Sequence, residues 1–176
     1  MSTLRWFIEG RPKGEPRMRA RAIPDGRGGH IGSVYPDTSA DDWKTLVRLQ
    51  SGRYRPREPW DGPVRVDLVF YLPRPQRLMR KRDPDGPVPA TCKPDRDNAE
   101  KLLLDVWTRM GFWCDDAQVC DGRVVKLYTA KNGREGVQVT MTQITEVPDV
   151  LADEGRDVGA APLARDLAGD PAGELG

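Results

Sequence analysis

Val64-Arg65-Val66-Asp67-Leu68-Val69-Phe70-Tyr71-Leu72 is β-branched or aromatic at most positions, with Gly62-Pro63 before it and Pro73 after. A run of that composition between turn formers reads as a strand, and it sets a sheet at the centre of the fold. Working upstream, Thr38 or Ser39 is positioned to cap a helix that continues to about Ser51. Asp41 and Asp42 fall in its first turn, where carboxylates meet the positive end of the helix dipole. Trp43, Leu46, Val47 and Leu49 supply its apolar positions, and Ser51-Gly52 marks its end. Residues 3–9 read as a short first strand. Gly10 to Arg21 is too rich in Pro, Gly and Arg for a regular element and reads as a basic loop.

Downstream, residues 73–94 are proline-rich, lack periodicity and carry Arg74, Arg77, Arg80, Lys81 and Arg82, the marks of a long exposed loop. Asn98–Met110 then predicts a second helix, closed by Gly111. Leu102, Leu103, Val106, Trp107 and Met110 recur at helical spacing and are its core positions. Val119–Leu127 and Gly136–Ile144 read as two strands joined by a turn at Lys131-Asn132-Gly133, since Asn-Gly is a hairpin cue. Beyond Val147 the Gly, Ala, Asp and Pro content offers little to bury, which predicts a disordered tail. The expected fold is α+β: one domain over residues 1–146 with a small mixed β-sheet and two main helices, then a flexible acidic tail over 147–176.

At 176 residues and 38% hydrophobic, the chain has material for one domain with a core. It holds no apolar run of roughly eighteen residues, so no membrane helix is expected. The opening Met1-Ser2-Thr3-Leu4-Arg5-Trp6 does not read as a secretory signal. Cys92, Cys114 and Cys120 form no disulfide framework and suit a reducing, cytoplasmic compartment. Zinc is disfavoured, because no CxxC pair exists and His30 is the single histidine. The net charge of +1 conceals an asymmetry: residues 149–174 carry −5, leaving +6 on residues 1–146. A basic body suits a polyanionic partner, although ordinary surface charge gives the same balance.

The chemistry concentrates in Lys93-Pro94-Asp95-Arg96-Asp97-Asn98-Ala99-Glu100-Lys101 and Gly111-Phe112-Trp113-Cys114-Asp115-Asp116-Ala117-Gln118-Val119. Pro94 disfavours helix at Lys93, so the chain is expected to enter Asp95 extended, with Asp95 and Asp97 on one face. Converging carboxylates repel unless a cation joins them. Mg²⁺ is commonly held by one or two carboxylates plus a substrate phosphate, which points to phosphodiester cleavage, with Lys101 one helical turn beyond Asp97 in reach of the same site. The spacing alone leaves a second reading open. Asp97 also suits a helix cap, Lys101 and Asp105 an i,i+4 pair, and a further D-x-D at Asp83 and Asp85 is turn-like.

Lys93-Pro94-Asp95-Arg96-Asp97-Asn98, Lys101, Asp105, the stretch Gly111 to Val119 and Val124-Val125-Lys126 together resemble the signature of the RusA-like Holliday junction resolvases. The resemblance is dense over residues 93–128 and looser elsewhere. It implies a homodimeric, Mg²⁺-dependent endonuclease (Mn²⁺ substituting) that nicks four-way DNA junctions symmetrically in recombination and repair. By matching position, Asp95, Asp97 and Asp116 are the implied metal-binding and catalytic carboxylates, Lys101 the essential basic residue and Asp115 a neighbour of less defined role. Lys13, Arg17, Arg19, Arg21, Arg77, Arg80, Lys81, Arg82 and Lys93 become candidate phosphate contacts. Trp107 and Trp113 read as core or interface packing, and Phe112 as a candidate wedge at the junction centre. Arg96, Glu100 and Ala99 depart from the family pattern. A flap or replication-fork nuclease of the same family and a non-catalytic branched-DNA-binding protein are the alternatives.

Overall fold

The computed structural model describes residues 2–145 apart from Asp25 and Arg27; the acidic stretch 147–176 lies outside the described residues. Ten elements follow in chain order: β1 (Thr3–Glu9), β2 (Arg19–Pro24), β3 (His30–Tyr35), α1 (Asp41–Ser51), β4 (Val64–Leu72), β5 (Val88–Pro89), α2 (Arg96–Met110), β6 (Val119–Asp121), β7 (Val124–Tyr128) and β8 (Gly136–Gln143). The arrangement is α+β. No helix among the described residues is long and apolar enough to cross a membrane.

β4 is the axis of the molecule. Its burial alternates strictly, with Val64, Val66, Leu68, Phe70 and Leu72 buried and the residues between them half-buried. That period of two places one face against the helices and leaves the other wetter. Each of these large side chains contributes roughly 1.5–3 kcal/mol by leaving water. On one side β4 pairs antiparallel with β8, which pairs antiparallel with β1; on the other it pairs parallel with β6 and then β7, and β5 closes that edge. The expected Asn-Gly hairpin is therefore absent: β4 lies between β7 and β8. Asn132-Gly133 does turn the chain, with the Gly133 N–H donating to the Ala130 carbonyl, but the segment then crosses to the far side of β4.

α1 packs on β1 and on α2, and α2 also meets β7. The buried Leu102, Leu103, Val106 and Trp107 of α2 join Trp43 and Val47 of α1 over the sheet. Trp107 touches Trp6, Phe112 and Trp113 in an aromatic cluster, and its Nε1 donates to the buried Ser51 hydroxyl at 3.0 Å. α1 starts one to two residues later than expected: Ala40 precedes it without a side-chain cap, and Leu46 and Leu49 face solvent instead of the core. α2 starts two residues earlier than expected, at Arg96, and ends where Gly111 takes the left-handed conformation at φ +76°.

Two further differences concern the segments read as loops. The basic stretch ending at Arg21 enters a β2–β3 ribbon that pairs only with itself, in register from Arg19 opposite Tyr35 to Pro24 opposite His30. Neither face of the ribbon is buried, so no hydrophobic alternation marks it in the sequence. Within 73–94, Val88–Pro89 pairs with β7. Arg74 holds that segment together by donating to the carbonyls of Leu78, Pro84, Gly86 and Thr129.

Candidate metal and nucleic-acid site

The chain enters α2 through a cis Lys93–Pro94 bond. Asp95 is the N-cap residue in extended conformation (φ −65°, ψ 150°), yet its side chain makes no capping hydrogen bond. Asp97 stands in the first helical turn, so the extended geometry expected for the pair holds for Asp95 only. Both carboxylates are exposed and neither has an ion-pair partner among the described residues. The unsatisfied N–H groups of the first turn sit beside them, which adds a positive field suited to phosphate.

The loop 11–18 covers this helix end. Gly14 packs so closely that a Cβ there would lie 2.6 Å from Asn98 Nδ2. The Asn98 amide donates to the Glu15 carbonyl at 3.0 Å, and the Glu15 N–H donates back to the Asn98 carbonyl at 3.2 Å. Lys44 of α1 holds Glu15 Oε1 at 2.7 Å, while Glu15 Oε2 is shielded from solvent and has no hydrogen-bond partner among the described residues. The result is a cleft of about 730 Å³ lined by Arg11, Lys13, Arg17, Lys93, Asp95 and Asp97 among others. A second cleft adjoins it through Arg11 and Lys93, with Arg77, Cys92 and Tyr128 on its walls. Lys126, on the helix side of β7 opposite Phe70, donates to the Cys92 carbonyl and so anchors the segment leading into Asp95. The Tyr128 hydroxyl is held above its usual pKa, first by its hydrogen bond with Cys92 and then by burial.

The basic candidates divide into committed and free. Lys13 is occupied by Asp42 at 2.6 Å and the Ser39 carbonyl, and Arg19 by Asp37 at 2.7 Å. Arg17, Arg21, Arg80, Lys81, Arg82 and Lys93 are exposed. Lys101 is exposed one turn beyond Asp97, and burial raises the pKa of Glu100 between them.

The second motif separates its residues by task. Asp115 Oδ1 accepts from the Ala117 N–H at 2.8 Å, Gln118 Oε1 accepts from the Cys114 and Asp115 N–H groups, and Gln118 Nε2 donates to the Trp60 and Gly62 carbonyls. Asp115 and Gln118 thus form a reciprocal cap on the turn Asp116–Gln118. Asp116 is exposed and keeps its carboxylate free of such bonds. Phe112 is fully buried and Trp113 is 1% exposed; the wedge role expected for Phe112 is therefore excluded, because the ring fills the core beneath α2.

The turn that carries Asp116 is tied through Gln118 to Trp60 and Gly62, before β4 begins at Val64, whereas Lys93 and Pro94 lie beside Leu72 and Tyr128 at the other end of β4 and β7. The 15 residues of α2 separate the two, about 22 Å of helix. Among the described residues no three His, Cys, Asp or Glu side chains come together to hold a metal ion. Asp95 and Asp97 line one cleft. Two exposed carboxylates with no cationic partner among the described residues suit a hard divalent ion that completes its shell with water and phosphate.

Residues 9–142 match the family model described as Endodeoxyribonuclease RusA. Crossover junction endodeoxyribonuclease RusA of Escherichia coli strain K12 is 44% identical over 82 residues, covering 47% of this chain and 53% of the relative. The protein of the same name from Enterobacteria phage 82 gives the same identity and coverage. A shorter stretch of 57 residues is 40% identical to RusA of Escherichia coli O139:H28 strain E24377A. The matched stretch spans about half the length of these relatives.

Proposed function

Because the chain belongs to the endodeoxyribonuclease RusA family, we propose that it is a divalent-metal-dependent endonuclease acting on branched DNA, four-way junctions above all, as a homodimer with two active sites. The observation that carries this reading is the cleft at the start of α2, where Asp95 and Asp97, two carboxylates without an ion pair among the described residues, share the lining with Arg11, Arg17 and Lys93. An acidic floor under a basic rim suits a phosphodiester: the cations attract the backbone, and the carboxylates need a divalent ion before a phosphate can approach. When bound, Mg²⁺ lowers the pKa of water and polarises a phosphoryl oxygen.

The chain's own residues do the rest. Asp95 and Asp97 supply oxygen ligands, and Asp116 is the further carboxylate. Lys101 places a positive charge where negative charge grows on the phosphoryl oxygens. Arg11, Arg17 and Lys93 hold flanking phosphates, and the first-turn N–H groups of α2 orient one of them. The relatives are named for cutting crossover junctions, whose two equivalent strands match a two-fold dimer. The test is a panel of end-labelled four-way junctions, flaps, forks and linear duplexes incubated with the full chain in Mg²⁺ or EDTA. The expected result is a pair of symmetric nicks in the junction, seen with Mg²⁺ only. Metal-dependent cutting of flaps or forks alone reassigns the substrate, and no metal-dependent product from any branched DNA removes the reading.

A further inference from the structure

We propose that the face of the sheet turned away from the helices carries a pocket for one unpaired DNA base. This rests on the nuclease reading above and adds a second contact for the same strand, beyond the metal cleft. β4 and β8 turn Leu68, Phe70, Val137 and Val139 into the core beneath the helices. Phe7, Tyr71 and Gln138 lie on the other face, with Phe7 paired to Gln138 and Tyr71 to Gly136. Together with Pro87, Ala130 and Arg134 they line a pocket of about 270 Å³. Pockets for drug-sized ligands run from roughly 300 to 1,000 Å³, so this one suits a single base.

Three observations identify the ligand. First, the floor is aromatic. The Phe7 and Tyr71 rings lie 6.2 Å apart, tilted by 47°, and both residues are only half-buried. Gly136 makes this possible: a Cβ there would lie 2.5 Å from Phe7 Cζ, so its absence lets the ring lie down across β8. Aromatic faces of this kind stack bases of any sequence. Second, the rim is suited to a base edge and not to a phosphate. Gln138 is exposed, and its amide offers both a donor and an acceptor. The Arg134 guanidinium sits over Phe7 at 5.7 Å, and its charge is balanced by Glu9 Oε2 at 3.3 Å. A charge-balanced rim over an aromatic floor selects a flat neutral group. Third, two short segments join this pocket to the metal cleft. Phe7 and Pro87 line the pocket, while Arg11 and Lys93 line the cleft beside Asp95. Four residues separate Phe7 from Arg11, a span of no more than about 14 Å. A strand whose backbone lies in the cleft therefore has the pocket within reach, and a base already unpaired at a branch point costs least to extrude.

The test uses the full chain in Ca²⁺ with two probes, a thymidine hexanucleotide and the same sugar-phosphate backbone without bases. Wild type should bind the hexanucleotide more tightly than the abasic backbone. Tyr71→Leu and Phe7→Leu should each weaken hexanucleotide binding by about 5- to 100-fold, the range for loss of one stacked base, and leave abasic binding unchanged. Tyr71→Phe keeps a ring and should bind as wild type does, which separates stacking from folding. Equal affinity of wild type for the two probes overturns the proposal, as do Leu variants that bind the hexanucleotide as tightly as wild type. Self-association that Tyr71→Leu abolishes while hexanucleotide affinity holds also overturns it, since the face then belongs to a second copy. A wild-type chain that binds through the pocket yet cuts no branched DNA in Mg²⁺ removes the nuclease reading and leaves the pocket standing.

Discussion

Asn98 and Glu15 clasp each other through two hydrogen bonds, side-chain amide to carbonyl at 3.0 Å and N–H to carbonyl at 3.2 Å. This clasp fastens the basic loop to the first turn of α2 and thereby sets the width of the cleft around Asp95 and Asp97. Gly14 is part of it, since any side chain there meets Asn98 Nδ2. Gly14→Ala is predicted to break the clasp, lowering stability by about 1 kcal/mol per lost hydrogen bond and reducing cleavage more than overall DNA binding. Thermal melts alongside junction-cleavage rates check both parts.

Lys101 is exposed one turn past Asp97 and has no ion pair among the described residues. Lys101→Ala should slow junction cleavage by on the order of 10²-fold with little change in melting temperature, the pattern of a group that stabilises charge in the transition state. Single-turnover cleavage with excess protein measures it. A loss confined to DNA affinity assigns Lys101 to phosphate contact instead.

Arg17 and Arg21 are exposed and carry no ion pair among the described residues, while Arg19 is bound to Asp37. Replacing Arg17 or Arg21 by Ala should therefore reduce the salt slope of junction binding by about 1 each, as expected for loss of one phosphate contact. Arg19→Ala should instead loosen the ribbon. The readout is the binding constant across a salt series.

The Asp37 carboxyl is held below its usual pKa by the Ser39 N–H and then by Arg19. A depressed carboxyl contributes stability above its unfolded pKa of about 3.9, and loses it as pH falls through the folded value. Protection of the β2–β3 amides, corrected for intrinsic exchange, should fall as pH drops below about 4, and Asp37→Asn should flatten that dependence.

How far these features can be read from the sequence depends on how local their causes are. β4 is legible because Gly62-Pro63 and Pro73 bound it and β-branched and aromatic residues fill it. α2 is legible because Leu102, Leu103, Val106 and Trp107 mark its buried face and Gly111 its end. The β2–β3 ribbon is not, since it buries neither face and leaves only Ile23, Ile31, Val34 and Tyr35 as β-formers among Arg, Ala and Gly. The order of the sheet is not legible either: Asn132-Gly133 signals a turn, but nothing near it says that β4 intervenes. In the site, spacing alone leaves a cap or turn reading open for the acids, and only resemblance to the family signature proposes Asp95, Asp97 and Asp116. Their location at opposite ends of α2 follows from long-range pairing, Val119 beside Val64 and Tyr128 beside Leu72. The clasp of Asn98 on Glu15 joins residues 83 apart and had no signal beyond the Asn itself.

The most direct test of the account compares wild type with Asp97→Asn on one labelled four-way junction, with binding measured in Ca²⁺ and cutting in Mg²⁺. The account predicts that the variant binds the junction as the wild type does and cuts it at the level of the metal-free control. Cutting by purified Asp97→Asn at the wild-type rate would contradict it.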